Sequence, residues 1–140
     1  MEKNNYPSWL VSVEQAKRLK ELGFNEPCIF SYSEGIGITA CIRTGSGDEP
    51  NFTDFIIGGN SKGSPLTDLP TYEQVFEWFR EKGLVAVIVT NEILNEGDPL
   101  YFSSVDDLDG DYYTLDNYYT YEEAREAVLD KLIELYENSI

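Results

Sequence analysis

Apolar positions recur along the chain with two periods, and where the period changes the elements can be read off. The clearest change lies in Pro70-Thr71-Tyr72-Glu73-Gln74-Val75-Phe76-Glu77-Trp78-Phe79-Arg80-Glu81-Lys82-Gly83. Tyr72, Val75, Phe76 and Phe79 share one face at helical spacing, while Glu73, Glu77 and Arg80 fall elsewhere. Thr71 and Gln74 have the spacing of a capping box, and Gly83 is placed to end the helix in the left-handed conformation. Leu84-Val85-Ala86-Val87-Ile88-Val89-Thr90 then runs without a charge. A continuous β-branched and aliphatic run predicts a strand buried on both faces or nearly so, and with its helix it should form the centre of the fold.

The same helix-start chemistry recurs twice. Ser12 and Gln15 open a helix whose buried face would be Trp9, Val13, Ala16, Leu19 and Leu22, closed by Gly23 and Phe24. Thr120 and Glu123 open another with Tyr121, Ala124, Val128, Leu132, Leu135 and Tyr136 as its stripe. The intervals between the three starts are unequal, so they are shared grammar rather than a solenoid period.

Strands are expected at residues 28–33 and 36–43, a hairpin across Glu34-Gly35, and again at 51–58. Residues 100–105 and 111–118 flank Asp109-Gly110, a pair that favours tight hairpin turns. Residues 59–69 lack periodicity and read as a long loop, a length often tied to function. The order is α-β-β-β-α-β-β-β-α. It predicts a single α+β domain over residues 1–140, with a mostly antiparallel sheet of about five or six strands and three helices packed on it.

Charge changes this picture more than composition does. The formal net charge is −16, and the imbalance begins late. Up to Gly45 there are five basic and five acidic residues; from Ser46 onward there are five against twenty-one. Such a surface repels phosphate backbones, which argues against direct nucleic-acid binding. It serves either as a hydration coat or as a patch for a basic partner protein. Mimicry of nucleic-acid charge is a special case of the second reading. Residues 1–8 have no signal-peptide pattern and no apolar run is long enough to span a membrane, so the expected setting is cytoplasmic with no membrane contact.

Candidate chemistry is sparse. With no His, the common general base and zinc ligand are both missing, and no nucleophile–base pair stands out. Cys28 and Cys41 lie in apolar runs, where free thiols outweigh a disulfide. Counting Asp107 as the first position of a calcium loop puts Asp109 third and Asp111 fifth. Tyr112 then stands where Gly is required and Tyr118 where Glu is required. Residues 58–64 lack the Gly-Lys-Ser/Thr ending of a phosphate loop, and Gly35-Ile36-Gly37 has no strand–loop–helix context. No cofactor and no metal are expected.

The strongest candidate is therefore a contact surface. Asp106, Asp107, Asp109 and Asp111 cluster at the predicted hairpin, and Tyr112 and Tyr113 follow them in an aromatic run with no Lys or Arg between Lys82 and Arg125. These six residues are the expected protein-binding site of a non-enzymatic acidic factor. Two alternatives differ in class: a ligand binder or small enzyme using residues 59–69 as a lid, and a structural homo-oligomer.

Residues 70–82 and Tyr121-Glu122-Glu123-Ala124-Arg125-Glu126-Ala127-Val128-Leu129-Asp130-Lys131-Leu132-Ile133-Glu134 resemble segments of small acidic proteins of bacteriophages and prophages of gut bacteria. The resemblance covers two helices and leaves the sheet unmatched. It implies a phage or mobile-element accessory protein of the bacterial cytoplasm, and it assigns no catalytic residue.

Overall fold

The computed structural model describes residues 6–35, 37–44, 51–57, 67–90 and 96–140. Ten elements follow in chain order: α1 (Val13–Glu21), β1 (Phe30–Ser33), β2 (Gly37–Thr44), β3 (Asn51–Ile57), β4 (Thr67–Leu69), α2 (Tyr72–Glu81), β5 (Leu84–Thr90), β6 (Tyr101–Asp107), β7 (Tyr112–Tyr118) and α3 (Tyr121–Ser139). Among the described residues the class is α+β with three helices, as the periodicities require. The strands, however, form two antiparallel sheets rather than one: four strands in the order β3-β2-β1-β4 and three in the order β5-β6-β7. The chain correspondingly divides into two compact units, Met1–Thr71 and Tyr72–Ile140.

In the first unit the capping box of α1 is complete. The Gln15 N–H donates to Ser12 Oγ at 3.1 Å and the Ser12 N–H donates to Gln15 Oε1 at 3.4 Å. The helix closes with Phe24 N–H donating to the Leu19 carbonyl and Gly23 N–H to the Lys20 carbonyl, the paired bonds of a Schellman end. Ala16 and Leu19 are buried as the spacing predicts, together with Leu10, Val11, Phe24, Ile38 and Leu69. Trp9 is not in that face: it is 46% exposed and meets Phe30 edge-on at 5.0 Å.

The strand absent from the sequence reading is β4, which pairs antiparallel with β1 through Phe30↔Leu69. Three residues are too few to show a period of two, and this strand falls at the end of the stretch taken as loop. Val11 N–H donates to the Pro70 carbonyl at 3.0 Å, so the segment before α1 is tied to the end of the same strand.

The second unit is built on β6, not on β5. The expectation of a strand buried on both faces fails: Leu84 is buried, residues 85–88 are half-buried, and Val89 and Thr90 are exposed. The cause is position, because β5 is an edge strand of a three-stranded sheet. Helix α3 lies against β5, β6 and β7. It covers the face that carries Val105 and Ser103, and the register puts Ala86 and Ile88 of β5 beside those two residues. Ala124, Val128, Leu129, Leu132 and Ile133 supply the buried stripe of α3; Leu129 and Ile133 join the expected positions, whereas Leu135 and Tyr136 are half-buried and Tyr121, at the first turn, is exposed. Trp78 of α2 is also buried and meets Tyr136 of α3 at 5.5 Å, a contact the helical stripe alone did not assign. Among the described residues, no helix is long and apolar enough to cross a membrane.

Candidate functional site

The acidic cluster sits where β6 turns into β7, and local chemistry accounts for the turn. Asp107 N–H donates to the Asp111 carbonyl at 2.8 Å, and Gly110 N–H donates to the Asp107 carbonyl at 2.9 Å. The Asp107 carboxylate accepts from Asp109 N–H at 2.9 Å, the local bond that makes Asp a turn residue. Gly110 has φ +119°, a conformation that a Cβ would strain. Leu108 N–H donates to the Gly83 carbonyl at 2.9 Å, so the tip is also tied to the start of β5.

The strand register separates the six candidate residues. Asp106 pairs with Tyr112 and with Val85, and these three share the face away from α3. Tyr113 pairs with Val105 on the helix side, where the Lys131 ammonium lies 5.6 Å from its ring centre. Asp107 is half-buried and shapes the turn, whereas Asp106, Asp109 and Asp111 are exposed. Tyr112 is 71% exposed. The hairpin end of the outer face therefore carries Asp106 and Tyr112, with Asp109 and Asp111 exposed at the turn beyond it, while Tyr113 packs on the other side.

The cations of this unit are occupied elsewhere. From Tyr72 to Ile140 there are four basic and seventeen acidic residues, a net charge of −13. Arg80 pairs with Glu73 at 3.4 Å, and Lys131 pairs with Glu134 at 3.4 Å. The Lys82 ammonium lies 4.2 Å from the Trp78 ring centre, and the Arg125 guanidinium lies 4.3 Å from that of Tyr72 and 5.2 Å from that of Tyr121. Each base is thus held on a helix or against an aromatic ring. Among the described residues, none of the four hairpin aspartates takes part in an ion pair.

No family model, curated protein or solved structure matches the chain.

The calcium spacing does not become a loop, because residues Tyr112–Tyr118 are strand β7. Among the described residues no three Asp, Glu or Cys side chains come together in a way that could hold a metal ion. Gly35 and Gly37, both at positive φ, flank the turn between β1 and β2, so that G-x-G serves a hairpin. The stretch read as a phosphate loop lies outside the described residues, and so does the proposed lid apart from β4. Cys28 is a free, half-buried thiol. Burial first, then Asp68 and Glu26, push it up to about 11, so it is protonated at neutral pH and poorly nucleophilic. Tyr72 is pushed up to about 12 by burial and by Glu126 and Asp130, against the opposing pull of Arg125.

Sequence reasoning missed several exposed apolar side chains of this sheet: Leu108 at the tip (70% exposed) and, at the end away from the hairpin, Phe102 (39%) and Val89 (50%). A signal existed for one of them. The uninterrupted apolar run of β5 places three valines, Val85, Val87 and Val89, on the face away from α3.

Proposed function

We propose that the chain is a non-enzymatic, acidic protein-binding factor whose contact site is the β6–β7 hairpin. Asp106, Asp109, Asp111 and Tyr112 would meet the partner. Asp107 would hold the turn, and Tyr113 would anchor the hairpin to α3. The observation that carries this reading is a turn with exposed aspartates outside any ion pair beside a tyrosine 71% exposed, in a unit whose cations are all engaged elsewhere. Carboxylates left this way cost self-repulsion and add nothing to the fold, whereas a basic surface would gain from them in encounter rate and register. Tyr112 supplies what charge cannot, a rigid amphipathic area with few rotatable bonds. The resemblance of the α2 and α3 segments to phage proteins supports a setting: an accessory protein of a phage or mobile element, acting in the bacterial cytoplasm.

The test is capture from bacterial lysate with the parent chain and with D106N/D109N/D111N, which leaves the turn-forming Asp107 in place. The parent should retain a basic protein that the variant loses, and added salt should weaken the retention. Equal recovery by both proteins would remove the hairpin from the binding site.

A further inference from the structure

Strand β5 has a composition that asks for cover on two sides. In antiparallel sheets with one wet face the outward positions are normally polar, while a run apolar at every position belongs to strands covered twice. Here α3 covers one side, and on the other Val85, Val87 and Val89 form a continuous column. That column pairs across the sheet with Asp106, Ser104 and Phe102 of β6. Tyr112 extends the first of these rows. The face thus has short side chains along its middle, an aromatic at each end, and aspartates at the hairpin end. Val89, Phe102 and Tyr112 are exposed.

Resting on the protein-binding reading above, we infer that this sheet face receives a basic amphipathic helix of the partner protein. Its dimensions suit one helix. Three strands at about 4.8 Å spacing make a strip roughly 10 Å wide between outer strand axes, and a helix is about 10 Å across. Val85 to Val89 spans about 14 Å at ~3.4 Å per residue, the length of roughly nine helical residues. Charge selects the partner. With a net charge of −13 on this unit, a second copy of the chain or an anionic membrane would be repelled, while Lys or Arg flanking an apolar stripe would reach Asp106, Asp109 and Asp111.

Fluorescence anisotropy on the full chain tests this with a labelled Leu/Lys peptide of roughly twelve residues, patterned as an amphipathic helix, and a scrambled peptide of identical composition. The patterned peptide should bind about tenfold more tightly than the scrambled one. F102T, which removes the ring but puts a residue of good strand propensity in its place, should remove most of that difference and leave scrambled-peptide binding unchanged. V89T is the second variant, should F102T fail to fold by circular dichroism. D106N/D109N/D111N should weaken both peptides. Equal affinity for the two peptides, with both weakened by the aspartate changes, would overturn the helix-docking face and leave the hairpin reading standing. No binding of either peptide would overturn both readings. A chain whose light-scattering mass is dimeric and falls to monomeric on F102T would show a second copy as the occupant and overturn the proposal.

Discussion

The two units are similar in size and grammar and opposite in charge economy. Each has a capped helix, an antiparallel sheet and a tight hairpin at a glycine with positive φ. The unit Met1–Thr71 carries six basic and nine acidic residues; the unit Tyr72–Ile140 carries four and seventeen. Since the first builds its core with charges near balance, acid excess is not a requirement of this architecture. In the second, the bases are held on α2 and α3 or against aromatic rings, Lys131 over Tyr113 of β7 among them, and none pairs with a hairpin aspartate. Self-repulsion of that kind lowers stability. The difference is one that the proposed binding role of the aspartates would account for.

The two tryptophans allow each unit to be followed separately, because Trp9 belongs to the first and Trp78, only 7% exposed, to the second. The largest expected effect is on the core. Leu132→Ala, at a fully buried position under the three-stranded sheet, should cost ~2–5 kcal/mol in denaturant unfolding read from Trp78 in a W9F background. A loss below about 1 kcal/mol would mean that α3 is not packed as described. Gly110→Ala should come next, at about 1–3 kcal/mol, because φ +119° is forced on a residue with a Cβ. An unchanged midpoint would show that the hairpin has another conformation.

Helix starts and the second hairpin were legible because their signals are local: Ser12 with Gln15, Thr120 with Glu123, and Asp109-Gly110 each act within four residues. Sheet membership was not. Whether β5 joins the first sheet or starts another depends on pairings far along the chain, and nothing in Leu84–Thr90 encodes the edge position it takes. The candidate site was legible in position but not in facing. Adjacent residues on a strand point to opposite sides, so Tyr112 and Tyr113 could not both lie on one patch, and only the register decides which is outward.

High pH tests the second unit by a different route, although Cys28, pushed up to about 11, makes the first lose stability at high pH as well. Tyr72 is held protonated in the fold up to about 12, above the ordinary value of a free tyrosine, so the folded state binds that proton more tightly than the unfolded chain. Its contribution is fully present below pH 10 and is lost progressively as pH rises from 10 through 12. Tyr118 is shifted in the same direction by burial and nearby carboxylates and adds to the slope. The Trp78 transition should therefore fall across this window, and Tyr72→Phe should flatten the fall; an identical slope in the variant would contradict the buried placement. Cap removal is smaller. Thr120→Ala, which removes the acceptor for Glu123 N–H at 3.1 Å, should cost about 1 kcal/mol at Trp78. Ser12→Ala should cost about the same in the first unit, read from Trp9 in a W78F background.

The smallest effect discriminates best between the two explanations of the acidic surface. If the aspartates at the tip only repel one another, then D109N/D111N should stabilise the second unit by a few tenths of a kcal/mol at low salt, where the screening length is about 30 Å. The gain should vanish near 1 M salt, where that length is about 3 Å, and Trp9 should report no change at either salt. Asp107 is left out of this variant because its carboxylate holds Asp109 N–H, and replacing it would disturb the turn itself. A variant more stable than its parent yet weaker toward a cationic peptide would place the two aspartates on the side of recognition, at a small cost to the fold. A destabilised variant would instead make them part of the hairpin's own architecture. The contrast in charge between the two units would then need an explanation from folding.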